Sequence, residues 1–317
     1  MDEFEIIRRH FLNTTIYRDD VRLGIGDDAA ILRVPPGQEL VVSVDTLIAG
    51  VHFPEDLPAA AIGHRALAVN LSDLAAMGAK PAWALLALSL PLADDGWLQK
   101  FARGFFALAE RHQVALVGGN LARGPLNITV TVHGLLPSGQ ALVRSGAQPG
   151  DRIYVTGWLG DAAQGLQQLR EHMQITEADN CVQRFCFPEP RIQAGLALRG
   201  IASAAIDISD GLVADLGHIV QASGVGAQLQ VERLTLSPSL LRYKPREQAL
   251  NLALAGGDDY ELCFTVPEVR LPLLESQAHA FGCPVTHIGE ITASKTLRCL
   301  KDDSTDWPLP FAGYRHF

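Results

Sequence analysis

Aspartates recur in this sequence at positions where a carboxylate is costly. Asp27 and Asp28 follow Gly24 and Gly26 in a tight turn. Asp45 closes the apolar run 40–44, and Asp73 sits among Leu71, Leu74, Ala75 and Met77 in a helical pattern, with Asn70 three residues earlier on the same face. Asp207 ends the apolar run 203–206, Asp210 opens the next helix, and Asp258, Asp259 and Glu261 follow Gly256 and Gly257. Carboxylates at the ends of buried strands or on an apolar helix face are expensive unless paired or metal-bound. Mg²⁺ takes a few carboxylates together with phosphate oxygens and water, and such ligands can come from distant segments. Several ions held this way can bridge a nucleotide's phosphates and offset charge developing in phosphoryl transfer.

Each position also has a purely structural reading. A Gly-Asp-Asp turn is a common turn, and Ser209 and Asp210 suit a helix N-cap. Asp73 can pair with Arg65 or Lys80, His52 fits a loop, and Arg144 fits a solvated linker. The P-loop pattern, the protein-kinase HRD and DFG signatures, the GxSxG elbow and the HExxH helix are all absent. Any handling of phosphates must therefore use another device.

The elements that position these residues are legible from periodicity and punctuation. A short amphipathic helix is predicted over 4–12, and strands over 29–34 and 39–44 around the turn Pro35-Pro36-Gly37. An alanine-rich helix runs from Pro58 to Met77 and stops at Gly78 and Pro81. A strand over 83–91, a helix over 94–112 and strands over 114–119 and 127–136 follow. The polar stretch 137–151 marks a boundary, which divides the chain into domains 1–148 and 149–317. Beyond it come strands at 152–157, 203–209, 227–232, 260–266 and 285–290, with helices at 160–173, 190–201, 211–222 and 270–281. Neither half shows regular βα alternation, so the fold class is α+β.

Composition narrows the function. A length of 317 residues suits two domains, and 48% hydrophobic with 19% charged residues is the balance of a packed globular protein. A formal charge of −9 argues against a nucleic-acid binder, which would carry a basic face. The 5 cysteines have no paired metal-ligand spacing, so reduced thiols in the cytoplasm are expected. The opening residues carry no signal-peptide pattern, and the apolar run from Pro81 to Ala93 is too short to span a membrane.

In their order along the chain, GIGDDAA (24–30), SVDTLIAGVHF (43–53), ALAVNLSDLAAMGAKP (66–81), VGGN with ARGP (117–125), RSGAQPGD (144–151), AIDISDGL (205–212) and GGDDYELCF (256–264) resemble the bacterial thiamine-monophosphate kinases. These belong to the aminoimidazole-ribonucleotide synthetase superfamily, and the resemblance runs from end to end. It implies two mixed α/β domains of that type. The first would bind ATP and Mg²⁺ and form a homodimer; the second would complete the nucleotide and substrate site. It implies direct in-line transfer of the ATP γ-phosphate to thiamine monophosphate, giving thiamine diphosphate and ADP, with several Mg²⁺ ions and no phosphoenzyme. Carried over by motif, Asp28, Ser43, Asp45, Asp73, Asn120, Asp207 and Asp210 are metal ligands. Gly119, Asn120, Arg144 and Ser209 contact ATP, while His52, Asp258 and Phe311 contact thiamine monophosphate. No general base is assigned. The alternatives are another ATP-dependent enzyme of the superfamily or a non-catalytic relative that binds nucleotide or metal.

Three residues depart from the family pattern. Val44 stands where threonine is common, Asn120 where aspartate is common, and Phe311 where tryptophan is frequent. Val44 and Asn120 are expected to fall on one metal site around Asp45, weaken it, and make its filling depend on nucleotide phosphates.

Overall fold

The computed structural model describes residues 2–12, 16–171 and 179–308. The chain divides into two compact units, Met1–Leu74 with Ala79–Gly139, and Ala75–Gly78 with Gln140–Phe317.

In the first unit, α1 (Glu3–Ile7) is capped by Asp2, whose carboxylate accepts the Glu5 N–H. It passes into a π-helical turn over Arg8–Leu12, where one continuous helix was expected. β1 (Val21–Leu23) pairs antiparallel with β2 (Ile31–Leu32), which is shorter than the predicted strand. β3 (Gln38–Ile48) runs past the predicted end and carries Asp45 inside it rather than after it.

The helix α2 (Ala59–Ala76) is apolar on nearly every side, with Leu67, Ala68, Leu71, Leu74 and Ala75 fully buried. β4 (Lys80–Leu90) follows, then α3 (Asp95–His112), whose N-cap Asp94 accepts the Trp97 N–H. The buried residues Leu98, Phe101, Ala102, Phe105, Leu108 and Ala109 of α3 recur at three- and four-residue steps, giving one stripe for the core.

β5 (Ala115–Arg123) and β6 (Asn127–Pro137) complete a four-stranded sheet of order β3-β6-β4-β5. Its β4–β5 pair is parallel and the other two pairs are antiparallel. Ile128, Val130 and Val132 are fully buried on one face, and Thr129, Thr131 and His133 alternate with them on the other. The Leu74 side chain of α2 lies within van der Waals reach of Gly134, which puts α2 on the first of these faces.

The second unit is built on a six-stranded sheet of order β12-β9-β11-β7-β10-β8. In chain order its elements are β7 (Arg152–Thr156), α4 (Asp161–Arg170), α5 (Asn180–Cys186), α6 (Ile192–Leu198), β8 (Ala204–Asp207), α7 (Leu212–Ser223) and β9 (Gly226–Gln230). There follow α8 (Pro238–Tyr243), α9 (Arg246–Ala255), β10 (Leu262–Val266), α10 (Leu271–Gln277), β11 (Val285–Thr292) and β12 (Leu297–Leu300). All neighbouring strands are antiparallel except β12 and β9. Ile153, Val155, Ile206, Leu216, Ile219, Leu229, Ile288 and Ile291 form the core. Among the described residues no helix is long and apolar enough to cross a membrane.

Sequence periodicity missed α5, α8, α9, β1 and β12. The helix predicted over 270–281 is instead a short α-helix between two 3₁₀ turns, Glu268–Arg270 and Ala278–Ala280.

Candidate active site

Strand alternation sorts the residues of β3. Ser43 and Asp45 pair with the buried Val132 and Val130 and share their face, which is the face covered by α2. The Ser43 hydroxyl donates to Asp73 Oδ2 at 2.5 Å. Asn70, fully buried one turn earlier on α2, accepts the Asp45 N–H on Oδ1 at 2.9 Å and donates through Nδ2 to the Ala66 carbonyl at 2.9 Å. Those two bonds fix the orientation of its amide. Ser43, Asp45, Asn70 and Asp73 thus stand together, with Asp45 and Asp73 half-buried.

Val44 points the other way. It is 56% exposed, and its antiparallel partner is Thr131. A threonine at this position would therefore bring no side-chain oxygen to the face of Ser43 and Asp45. Asn120 is separated from Asp45 as well, because β5 and β3 are opposite edges of the sheet. Three strand spacings put them about 14 Å apart. Val44 and Asn120 were expected to fall on one site around Asp45; within one chain the Val44 side chain faces away from Asp45, and Asn120 stands three strands from it.

Asn120 lies beside Ala87, and the same rung continues through Thr129 to Thr46. With Gly119 it borders a groove of about 920 Å³ that is also lined by Asp27, Asp28, Thr131 and His133. The Asp28 N–H is held by Asp27 Oδ1 at 2.8 Å, which sets the acidic turn. Gly119 is required where it stands: its φ is +154°, and a Cβ would lie 1.9 Å from the Leu86 carbonyl oxygen. His52 follows β3, and its Nδ1 accepts the Ile48 N–H at 3.0 Å, so the neutral ring carries its proton on Nε2.

In the second unit, β8 ends at Asp207, which is buried beside Leu262 of β10. Two loops are laced together beyond it. Ile208 donates to the Glu261 carbonyl, Tyr260 to the Ile208 carbonyl and Asp258 to the Ser209 carbonyl, each at 2.8 Å. Asp258 and Tyr260 hold left-handed backbone, φ +62° and +51°, and the Tyr260 hydroxyl donates to Asp258 Oδ1 at 3.1 Å. Such strained non-glycine residues cluster at functional sites because the surroundings must enforce them.

The enforcement comes from the alternate residues. Asp259 is buried and accepts the Gly160 N–H on both oxygens, at 2.9 and 3.0 Å. Burial pushes its carboxyl well above the usual range. Glu261, fully buried, accepts from Thr156 Oγ1 at 2.7 Å, from Arg191 at 2.5 and 2.6 Å, and from Arg184. Burial pushes Glu261 up too, but the Arg191 hydrogen bonds and the charges of Arg191 and Arg184 outweigh it and hold the carboxyl below its usual range.

Ser209 and Asp210 are not caps: α7 begins after Gly211, with no side-chain cap. Arg144 is exposed, and its carbonyl accepts the Ser223 hydroxyl at 3.2 Å. Phe311 lies outside the described residues. All five cysteines are free, and burial pushes Cys181 and Cys299 up to about 12, which keeps them protonated and poor nucleophiles.

The candidate ligands are carboxylate, hydroxyl and amide oxygens throughout, a donor set that suits Mg²⁺. Among the described residues no three His, Cys, Asp or Glu side chains are gathered into a closed metal centre. An ion that takes one or two carboxylates plus phosphate and water does not need one.

The two units match the two halves of one protein class: AIR synthase related protein, N-terminal domain over residues 26–136, and AIR synthase related protein, C-terminal domain over residues 148–301. The thiamine-monophosphate kinase of Escherichia coli (strain K12) is 49% identical over 318 residues, covering 99% of this chain and 98% of that protein. The chain belongs to the thiamine-monophosphate kinase family, with that family's two mixed α/β domains. Among solved structures, thiamine-monophosphate kinase from Stenotrophomonas maltophilia K279a matches with a TM-score of 0.88 at 46% identity, covering 97% of this chain and 98% of that one. AaThiL complexed with AMPPCP and TMP matches with a TM-score of 0.80 at 32% identity, covering 90% of this chain and 89% of that one.

Proposed function

We propose that the protein is a cytoplasmic thiamine-monophosphate kinase that uses ATP and Mg²⁺ to make thiamine diphosphate and ADP. The observation that carries this reading is the pairing of Ser43 with Asp73, backed by Asn70 holding Asp45. Oxygen donors are thereby preorganised on a largely buried helix, where a carboxylate is costly unless paired or metal-bound. A relative that binds an ATP analogue and TMP supports the choice of substrates.

Transfer is direct and in line. An anionic phosphate oxygen of thiamine monophosphate forms a bond to the γ-phosphorus as the bond from that phosphorus to the β–γ bridging oxygen breaks, and ADP leaves with the electron pair. The attacking oxygen is already ionised, so no general base is needed, and positioning with charge neutralisation supplies the catalysis. Mg²⁺, when bound, supplies that neutralisation, and Asp28, Ser43, Asp45, Asp73, Asn120, Asp207 and Asp210 are its candidate ligands. Gly119 and Ser209 meet the nucleotide, and the planar fork of Arg144 binds phosphate oxygens. His52, Asp258 and Phe311 contact thiamine monophosphate, Phe311 offering an aromatic face to the thiamine rings.

A homodimer formed on the first unit fits the exposed face of β3. This strand is a sheet edge, and Leu40, Val42, Val44 and Ile48 on it are 46, 54, 56 and 38% exposed. An apolar edge strand of this length is an association surface.

The test is ADP release from Mg·ATP with thiamine monophosphate, with thiamine and aminoimidazole-pathway substrates as controls. Turnover with thiamine monophosphate alone is expected. Turnover with only another acceptor would overturn the assignment, and absence of turnover with every acceptor would favour a non-catalytic relative.

A further inference from the structure

Ser209, Asp210 and Gly211 turn their backbone N–H groups towards a single atom. Oδ2 of Asp215 accepts all three, at 3.0, 3.0 and 3.1 Å. Asp215 lies in the first turn of α7 and is buried, 3% exposed. Three consecutive amides around one acceptor form a nest, a concavity suited to an anion. Here the chain fills the nest with its own carboxylate, from the floor of the loop.

The loop is tightly constrained around this contact. Gly211 has φ +115°, and a Cβ there would stand 2.9 Å from the Ala255 backbone. The Ser209 carbonyl, on the same peptide run, accepts the Asp258 N–H at 2.8 Å. Asp215 therefore sits beneath a loop that carries Ser209 and Asp210 and in turn sets the backbone of Asp258.

We propose that Asp215 is a positioning residue for phosphoryl transfer, shaping the 209–211 backbone so that Ser209 and Asp210 are held ready for Mg·nucleotide. This rests on the kinase reading for the roles of Ser209 and Asp210. Asp215 itself touches neither substrate nor metal. What the nest needs is one oxygen acceptor at this place.

Three replacements separate this role from general stability. In D215A the acceptor is lost: affinity for Mg²⁺ with a non-hydrolysable ATP analogue and kcat/KM both fall about 10–100-fold, the usual scale for residues behind a metal site. Amide exchange at 209–211 should rise in the same variant. D215N keeps an oxygen of the same reach and should stay within a few-fold of wild type in all three readouts. D215E, whose longer stem misplaces the oxygen, should resemble D215A. If D215A does not fold, the D215N and D215E pair carries the comparison.

The proposal is overturned if folded D215A binds the analogue and turns over as wild type does. It is equally overturned if D215N is as impaired as D215A, or if D215E matches wild type. Amide exchange and analogue binding are read without turnover. If the wild-type protein binds the analogue but does not phosphorylate thiamine monophosphate, the functional reading fails while the positioning role is still decided.

Discussion

The hydroxyl of Ser43, on an edge strand, donates to the carboxylate of Asp73, in the middle of a helix, across 2.5 Å. The bond joins the two elements that carry most of the first unit's candidate ligands. The hydroxyl fixes one carboxylate oxygen of Asp73 against the strand.

Replacing Asp73 with Asn keeps the shape and removes the charge. Turnover should drop on the order of 100-fold, the scale of losing one preorganised electrostatic contact. Circular dichroism and thermal unfolding should stay close to wild type because Asp73 is only half-buried. Near-normal kcat would remove Asp73 from the metal-binding set.

Val44 and Asn120 should behave differently. V44T places a hydroxyl on the face away from Asp45 and should leave the Mg²⁺ dependence of activity unchanged. N120D adds a charge to a groove that already holds Asp27 and Asp28, and should tighten Mg²⁺ binding roughly tenfold. A Mg²⁺ titration of each variant, with and without nucleotide, checks both. A strong response to V44T would contradict the facing of β3.

Val42 tests the association surface. In a two-fold dimer each copy presents the same patch, so V42D introduces two carboxylates per interface. Like charges set against each other there cost several kcal/mol. Sedimentation should show the wild type as a dimer and V42D as a folded monomer. A stable V42D dimer would place the interface elsewhere.

Glu261 should dominate the acid limb of stability in the second unit. Its folded pKa lies below the ordinary 4.5, so its stabilising contribution is present above that value and is lost as pH falls through the folded pKa. E261Q leaves Arg184 and Arg191 facing a neutral partner and should cost about 3–5 kcal/mol at neutral pH. Denaturant unfolding across pH 3–7, with pH read in roughly unit steps, should show a flatter acid limb in the variant.

Much of this was legible in the sequence because the signals were local. The alternation of Ile128, Val130 and Val132 gave β6, and the alanine-rich apolar run gave α2 with Asp73 on it. The helix α9 escaped because its apolar residues, Ala249, Leu250 and the run from Leu252 to Ala255, have only Asn251 among them, so no face stands out. α8 carried a readable start in Ser237 and Pro238 but is only six residues long. The facing of Val44 was also readable: alternation alone sets it opposite Ser43 and Asp45. Its distance from Asn120 was not, because strand order is a tertiary fact. Asp215 was hidden for another reason. An acid in the first turn of a helix looks like an ordinary complement to the helix dipole, and nothing local says that it reaches back to three amides.

The strand β3 spends its even positions on one surface and Ser43 and Asp45 on the other. It is therefore intolerant of changes in reading phase in a way that a loop is not. One residue inserted between the turn at Gly37 and Ser43 would exchange the two surfaces along the strand, turning valines towards α2 and carboxylates outward. Substitutions along β3 can be absorbed one at a time, whereas insertions and deletions of a single residue should be almost absent from functional variants of this segment.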